Sequence, residues 1–248
     1  MIENRAELQA ATAEFLRRAL EDHHDAPAVT VDATLTRLPD EKSLSYLTAV
    51  RTIDVVVSAT ALVLLAPLIL VSALIVKIDT KGPAFFRQTR LGKKARPFQI
   101  IKLRGMYHDA RQRFPEYYNY SYSLEEAHGL HFHVKNDPRT TRVGRVFRTR
   151  SIDELPNFWN VLRGDMSLVG PRPQIPEMFD YYGDYEEVIL SVNPGIFSLP
   201  KVSFRDDLPL LKTMVLDAYY VHHRSLRLDM KIILRGIRVV LRLKGVYY

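Results

Sequence analysis

Two adjacent carboxylates, Asp153 and Glu154, stand in the segment Thr149-Arg150-Ser151-Ile152-Asp153-Glu154-Leu155-Pro156-Asn157. They open a predicted helix over residues 152–163, where backbone N–H groups and the helix dipole favour ionised carboxylates. The nearby arginines add to that effect and are expected to lower the pKa of Asp153 further. An ionised aspartate among cations can attack phosphorus and form an acyl phosphate. A neighbouring glutamate can hold a divalent cation that neutralises phosphate charge. The same pattern has a plainer reading. Ser151-x-x-Glu154 matches a capping box, in which the glutamate only satisfies a backbone donor.

Other residue groups suit anions. Arg172 lies between Pro171 and Pro173, which restrict the backbone on both sides and favour a fixed guanidinium. Lys102 and Arg104 follow a predicted strand. Arg139, Arg142, Arg145 and Arg148 recur every three residues, and they fit an anionic groove, a membrane face or a solvated charge run. His128, His131 and His133 do not match a common zinc spacing. There is no cysteine, so thiolate metal sites, disulfides and cysteine nucleophiles are excluded. No Walker loop, dinucleotide-binding glycine fingerprint or Ser-His-Asp order is present.

The elements that must position these groups begin with Ile53–Val76. This apolar run carries a single charge, Asp54, and lies between Arg51 and Lys77. Its length and polarity fit a membrane-embedded helix. Pro67 falls mid-segment, where its ring crowds the preceding turn and predicts a kink or break. A simple span and a helix that turns back both satisfy this, and the residues alone slightly favour the span. Lys81, Arg87, Arg90, Lys93, Lys94 and Arg96 follow the run and place the downstream part on the cytoplasmic side.

Residues 1–50 hold nine acids against five Lys and Arg, so the remaining chain carries an excess of eleven positive charges within a net of +7. Such a surface seeks phosphorylated substrates, anionic lipid headgroups or nucleic acid. Residues 8–21 predict a short amphipathic helix and residues 22–45 a linker. No signal peptide fits the acidic N-terminus. Residues 84–88 and 98–102 predict two strands joined by the turn Gly92-Lys93-Lys94. Residues 174–190 look helical, and so does the tail from Asp206, broken near Pro209. Arg224, Arg227, Lys231, Arg235, Arg238 and Arg242 share one face of the last helix, with Leu226, Ile233, Ile237, Val240 and Leu241 elsewhere on it. A basic amphipathic helix suits an anionic bilayer surface, and also suits an ordinary solvated face.

Taken together these segments resemble the bacterial sugar transferase family, the monotopic phosphoglycosyl transferases, over roughly residues 50–245. The resemblance rests on Arg51-Thr52-Ile53-Asp54, Gly82-Pro83-Ala84-Phe85-Phe86-Arg87-Gln88, Lys102-Leu103-Arg104-Gly105-Met106, Asn136-Asp137-Pro138-Arg139, the run from Ser151 through Pro156, the run from Asn160 through Pro173, and Leu216-Asp217-Ala218-Tyr219-Tyr220, in that order. It implies a helix-rich α/β fold with a re-entrant membrane helix, broken at Ala66-Pro67, and amphipathic interfacial helices. It divides the chain into a variable N-terminal extension (1–45), a membrane hairpin (46–78), a catalytic part (79–205) and C-terminal helices belonging to the same domain (206–248). It implies that Asp153 attacks a UDP-sugar, expels UMP and holds sugar-1-phosphate, which polyprenyl (undecaprenyl) phosphate then accepts. Glu154 would bind Mg²⁺, and Lys102, Arg104, Arg172, Asp217, Arg87 and Arg148 would serve the substrates. The product would begin a surface glycan such as exopolysaccharide, at the cytoplasmic face of the bacterial inner membrane, with membrane lipids as partners and no nucleic acid. A homo-oligomer stays open. The family usually has Ser-Pro at the membrane break, serine or threonine at position 105, glycine at 198 and 204, and glutamine at 201. Here these are Ala66-Pro67, Gly105, Ser198, Phe204 and Lys201. An alternative reading follows from the altered 195–205 segment: a catalytically impaired membrane scaffold or regulator of glycan assembly. A membrane-tethered nucleic-acid binder is a third, motivated by the charge alone.

Overall fold

The computed structural model describes residues 33–131, 134, 136–204 and 208–241. The amphipathic helix expected at residues 8–21 lies outside the described residues, as do His133 and Arg242. One long helix, α1 (Leu44–Asp79), leads into a hairpin of β1 (Phe85–Leu91) and β2 (Pro97–Leu103). Helices α2 (Arg142–Thr149) and α3 (Asn157–Arg163) follow. A parallel pair, β3 (Ser167–Val169) and β4 (Gly195–Phe197), lies beneath them. Helices α4 (Leu199–Phe204), α5 (Leu210–His223) and α6 (Leu226–Leu241) complete the fold. The remaining elements are short helical segments of three to six residues. The result is a helix-rich α/β body.

Helix α1 is long and apolar enough to cross a membrane, and only 11% of its most apolar window is buried, which argues against a soluble core helix. It starts at Ser43, whose side chain accepts a hydrogen bond from the Tyr46 N–H, and it contains Pro67. Both ends are fastened to the same body. Near the start, Arg51 donates to the carbonyls of Val161 and Leu162 at 2.7 Å each, placing a cation on the C-terminal end of α3. Buried Asp54 accepts from the Leu168 N–H at 2.8 Å. At the far end Val76 packs with Leu103 and Phe147. There Arg104, 4% exposed, donates to the carbonyls of Pro83 and Thr80 and to the Thr80 hydroxyl at 2.6–2.9 Å. Mid-segment, Ser58, Ile69 and Ser72 are buried while Val63, Leu64, Leu68 and Leu70 are exposed.

The hairpin forms where strands were expected, and each strand is two residues longer than the 84–88 and 98–102 segments. It is antiparallel with Phe86 opposite Lys102 and Gln88 opposite Ile100. Side chains alternate across such a pair, so Phe86, Gln88, Arg90, Ile100 and Lys102 share one face. Asn160 on α3 bridges to the second strand, accepting from the Ile101 N–H and donating to the Gln99 carbonyl. The core behind the hairpin joins Ile100, Val161 and Leu168 to Leu216 and Ile232 of the C-terminal helices. Leu35 belongs to it too, so the segment expected as linker contributes a buried anchor.

Three expectations are corrected. Residues 152–163 are not one helix: a single 3₁₀ turn (Ile152–Glu154) precedes Pro156, and α3 begins after it. Residues 174–190 form 3₁₀ turns over Pro176–Tyr181 and Gly183–Tyr185 and one α-turn over Glu186–Ile189, because Pro176 and Gly183 interrupt the pattern. The tail breaks at Pro209, just before α5, as expected, and a second time at Arg224-Ser225, which puts Arg224 outside the last helix, α6. Residues 117–122, four of them tyrosines, are pinned to the body: Arg139 stacks over the Tyr117 ring at 4.6 Å, and the Tyr181 hydroxyl donates to the Tyr120 carbonyl.

Candidate active site

Helix α2 ends in a left-handed residue, Ser151 (φ 54°, ψ 22°), which turns the chain sharply into the 3₁₀ turn that carries Asp153 and Glu154. A non-glycine residue in that region is uncommon and marks a position the surroundings enforce. The capping box does not form. Ser151 makes no side-chain cap, and the Glu154 carboxylate goes elsewhere.

Both its oxygens are held by lysines. Lys102 Nζ donates to Oε1 at 2.9 Å, and Lys201 Nζ from α4 donates to Oε2. All three side chains are largely buried, with 19–24% of each exposed. These ammonium groups hold the Glu154 carboxyl well below the usual carboxylate range, against the opposing cost of burial. Glu154, Lys102 and Lys201 line an open cleft of about 400 Å³ together with Arg90, Asn157 and Arg172.

Asp153 lies beside this cleft, in the field of Lys102, Lys201 and Arg148. Its pKa is not depressed as expected. Burial, and then the Glu154 charge, push it up to about 6, outweighing the three cations. The two carboxylates are thus driven apart, one firmly anionic and one titrating near neutrality. If Asp153 is the nucleophile, as the resemblance implies, only its ionised form attacks, and single-turnover release of UMP from a UDP-sugar is expected to be flat above pH ~7 and to fall about tenfold per pH unit below ~6. A profile unchanged down to pH 4 would contradict this.

The other expected residues divide. Lys102 and Arg172 line the cleft. The Arg172 N–H donates to Asp217 Oδ2 at 3.2 Å, so Asp217, fully buried in α5, supports the loop from behind rather than lining the cleft. Arg148 Nη1 donates to the Thr140 hydroxyl and acts on Asp153 through its charge. Arg104 does not join them. Its donors are spent on the C-terminal end of α1. Arg87 does not either: it is exposed, and the strand alternation turns it to the face opposite Lys102. Ala66 and Pro67 lie within α1, remote in sequence from every lining residue. Of the three histidines, His128 meets the Tyr181 carbonyl, and no cluster fit to hold a metal occurs among the described residues.

Of the lining residues not anticipated, Arg90, Lys201 and Asn157 bear most on the chemistry. Arg90, on the Lys102 face of the hairpin, has its pKa lowered to about 10 by burial and by Arg172, and stays protonated at neutral pH. The strand pairing, counted from Lys102, could have identified it. Lys201 stands where glutamine was expected, and no period in the sequence ties it to Glu154. Asn157 is 2% exposed, and its side-chain oxygen has no hydrogen-bond partner in the structure, which suits an acceptor for a ligand donor.

The departures in the 195–205 segment are accommodated. Among the described residues, positive φ occurs outside glycine only at Lys94, Ala95, Asn136 and Ser151, so Ser198 and Phe204 do not occupy backbone that demands glycine. Gly105 is not demanded by space: a Cβ there would meet Arg148 at an ordinary 3.5 Å.

A sequence model described as bacterial sugar transferase matches residues 45–243. The chain is 39% identical over 206 residues to the UDP-glucose:undecaprenyl-phosphate glucose-1-phosphate transferase of Caulobacter vibrioides, covering 79% of this chain and 71% of that protein. It is 33% identical over 199 residues to the exopolysaccharide production protein ExoY of Rhizobium meliloti, covering 80% and 88%. It is 36% identical over 197 residues to the undecaprenyl-phosphate galactose phosphotransferase of Salmonella typhimurium, covering 79% of this chain and 41% of that longer protein. With a match across most of its length and relatives above 30% identity, the chain belongs to the bacterial sugar transferase family.

Proposed function

We propose that this chain transfers sugar-1-phosphate from a UDP-sugar to undecaprenyl phosphate, through a covalent intermediate on Asp153, as the first step of exopolysaccharide or other surface-glycan synthesis. The observation that carries this reading is a carboxylate pair set among Lys102, Lys201, Arg172 and Arg148 in a body bonded to both ends of a membrane-length helix. The names of the relatives supply the substrate classes.

In the first half-reaction an Asp153 carboxylate oxygen bonds to the sugar-bearing phosphorus. The phosphoanhydride bond breaks, and its electron pair leaves on UMP. In the second, a phosphate oxygen of the acceptor attacks the same phosphorus. The acyl phosphate bond breaks, Asp153 returns as carboxylate, and polyprenyl diphosphate sugar is formed. Arg90, Lys102 and Arg172 line the cleft as fixed cations for the phosphoryl oxygens, where preorganised charge is most effective.

The family resemblance puts Mg²⁺ on Glu154. The residues as arranged do not fit it: both oxygens of that carboxylate already accept from ammonium groups, and among the described residues no third acidic or histidine ligand joins the pair.

One substrate is soluble and the other a membrane lipid, so the cleft must sit at the bilayer surface. Helix α6 presents Leu226, Met230, Leu234, Ile237 and Leu241, all exposed and spaced four, four, three and four residues apart. Such a stripe suits shallow insertion. For α1 we favour the re-entrant form, entering and leaving on the cytoplasmic face of the inner membrane. Helix α1 runs unbroken through Pro67, and burial of Ser58, Ile69 and Ser72 in an otherwise exposed apolar stretch supports a bend there.

The test is a panel of UDP-sugars given to the purified chain with undecaprenyl phosphate and Mg²⁺. UMP release on at least one donor, dependent on the acceptor for continued turnover, is expected. Silence across the panel would favour the scaffold reading.

A further inference from the structure

We propose that Lys201 takes the place of a divalent cation at Glu154, so that this chain balances the charge of its phosphoryl-transfer site with a side-chain ammonium and binds free divalent metal there weakly. The activity part of this proposal rests on the function proposed above, while the metal-binding part does not.

The argument starts from geometry. Glu154 is clamped between Lys102 on β2 and Lys201 on α4, one ammonium on each oxygen. Lys201 is not a wandering surface lysine. Its neighbours Leu199 and Val202 are buried in the core, and the N–H of Lys201 donates to the buried Ser198 hydroxyl at 3.4 Å. The backbone therefore delivers the ammonium to a fixed place. A charge-assisted pair of this kind, largely shielded from water, is stronger than a surface contact.

A magnesium ion is small, holds its waters tightly and usually binds one or two carboxylates plus substrate phosphates. To reach Glu154 here it must displace an ammonium and then sit against it. Repulsion between a divalent ion and a unit charge at such distances is large. The charge balance supports the same conclusion. Arg90, Lys102, Arg172 and Lys201 line the cleft and Arg148 acts on Asp153 from beside it, against Glu154 and Asp153, an excess of three positive charges. That is enough to offset the two negative charges on the diphosphate of a UDP-sugar without a metal. Lys201 is on this account a charge-balancing residue that acts through Glu154.

The experiment uses the full chain in detergent and Mn²⁺ alone as probe, read by electron paramagnetic resonance. Lys201→Gln keeps a hydrogen-bonding side chain without charge, and is expected to bind Mn²⁺ at least ~10-fold more tightly than the wild type. Lys201→Arg keeps the charge and should bind Mn²⁺ as weakly as the wild type. Adding Glu154→Gln to Lys201→Gln should abolish the gained site. A wild-type chain that already binds Mn²⁺ as tightly as Lys201→Gln, through Glu154, overturns the proposal, as does a Lys201→Gln chain that gains no site. UMP release gives the second arm, on whichever UDP-sugar the panel identifies. Wild type should keep most of its turnover in EDTA, whereas Lys201→Gln should lose it at least ~10-fold and recover on added Mg²⁺. Wild-type turnover that vanishes in EDTA overturns the proposal. Absence of turnover on every donor counts against the proposed function alone, and the Mn²⁺ arm then decides.

Discussion

Asp153→Asn is expected to abolish UMP release, by a factor of at least about a thousand, while making the folded protein more stable at neutral pH. The loss follows because an amide is no nucleophile and no neighbouring group can replace it. Glu154 is the nearest carboxylate, but both its oxygens are held by lysines. The gain follows from the raised pKa of Asp153, about 6 against an ordinary 3.8. A carboxyl that binds its proton more tightly when folded than when unfolded favours folding in its neutral form. That advantage is complete below the unfolded value and is lost as pH rises through the folded one. At pH 7 the ionised group is therefore a cost, and a neutral amide of the same shape removes about 1–2 kcal/mol of it. Thermal unfolding in detergent should show the variant ahead at pH 7.5 and level with the wild type near pH 4. Incubation with a donor labelled in the sugar-proximal phosphate should leave label on the wild type and none on the variant. A variant that still turns over, or label found on another side chain, would remove Asp153 from the mechanism.

How much of this was legible follows from the range over which each signal acts. The membrane segment, the hairpin and the basic amphipathic last helix are written in local composition and period, and the structure contains all three. The acidic pair and Arg172 were singled out by local chemistry, and Glu154, Lys102 and Arg172 do meet in one cleft. Errors arose where a side chain's direction decides its role. Arg87 and Arg90 look alike in the sequence, yet strand alternation sends only Arg90 to the cleft face. Arg104 continues the Lys102 parity, but β2 ends at Leu103 and the guanidinium turns to the open carbonyls at the end of α1. The direction of the Asp153 pKa was misjudged because burial, a property of the folded neighbourhood, outweighs the visible arginines. Strands β3 and β4, three residues each, are too short to leave a period. The Lys201–Glu154 contact joins residues 47 apart, which no local pattern encodes.

The second large effect concerns the floor of the site. Gly195→Ala is expected to destabilise the fold by about 3 kcal/mol or more and to depress turnover at least ~100-fold in whatever protein remains folded. Strands β3 and β4 run in parallel, with Ser167 opposite Gly195, and the chain continues from Val169 through Gly170 to Arg172. The Gly195 N–H donates to the Pro171 carbonyl at 2.8 Å, and the Gly170 N–H to the Phe197 carbonyl at 3.1 Å. These bonds fix the loop that presents Arg172 to the cleft. A Cβ on Gly195 would lie 2.1 Å from the Gly170 nitrogen and 2.7 Å from the Val169 carbonyl carbon. Both obstacles are backbone, so no rotamer change relieves them. The strands must separate, and Arg172 moves with them while Asp153, on another segment, stays. The activity loss should therefore exceed what instability alone explains, and should appear in turnover by the folded fraction. Gly129→Ala is the control. A Cβ there meets nothing within 4 Å, and the change should leave stability within about 0.5 kcal/mol. If Gly195→Ala unfolds at the wild-type temperature and turns over normally, the close crossing of these strands does not position Arg172.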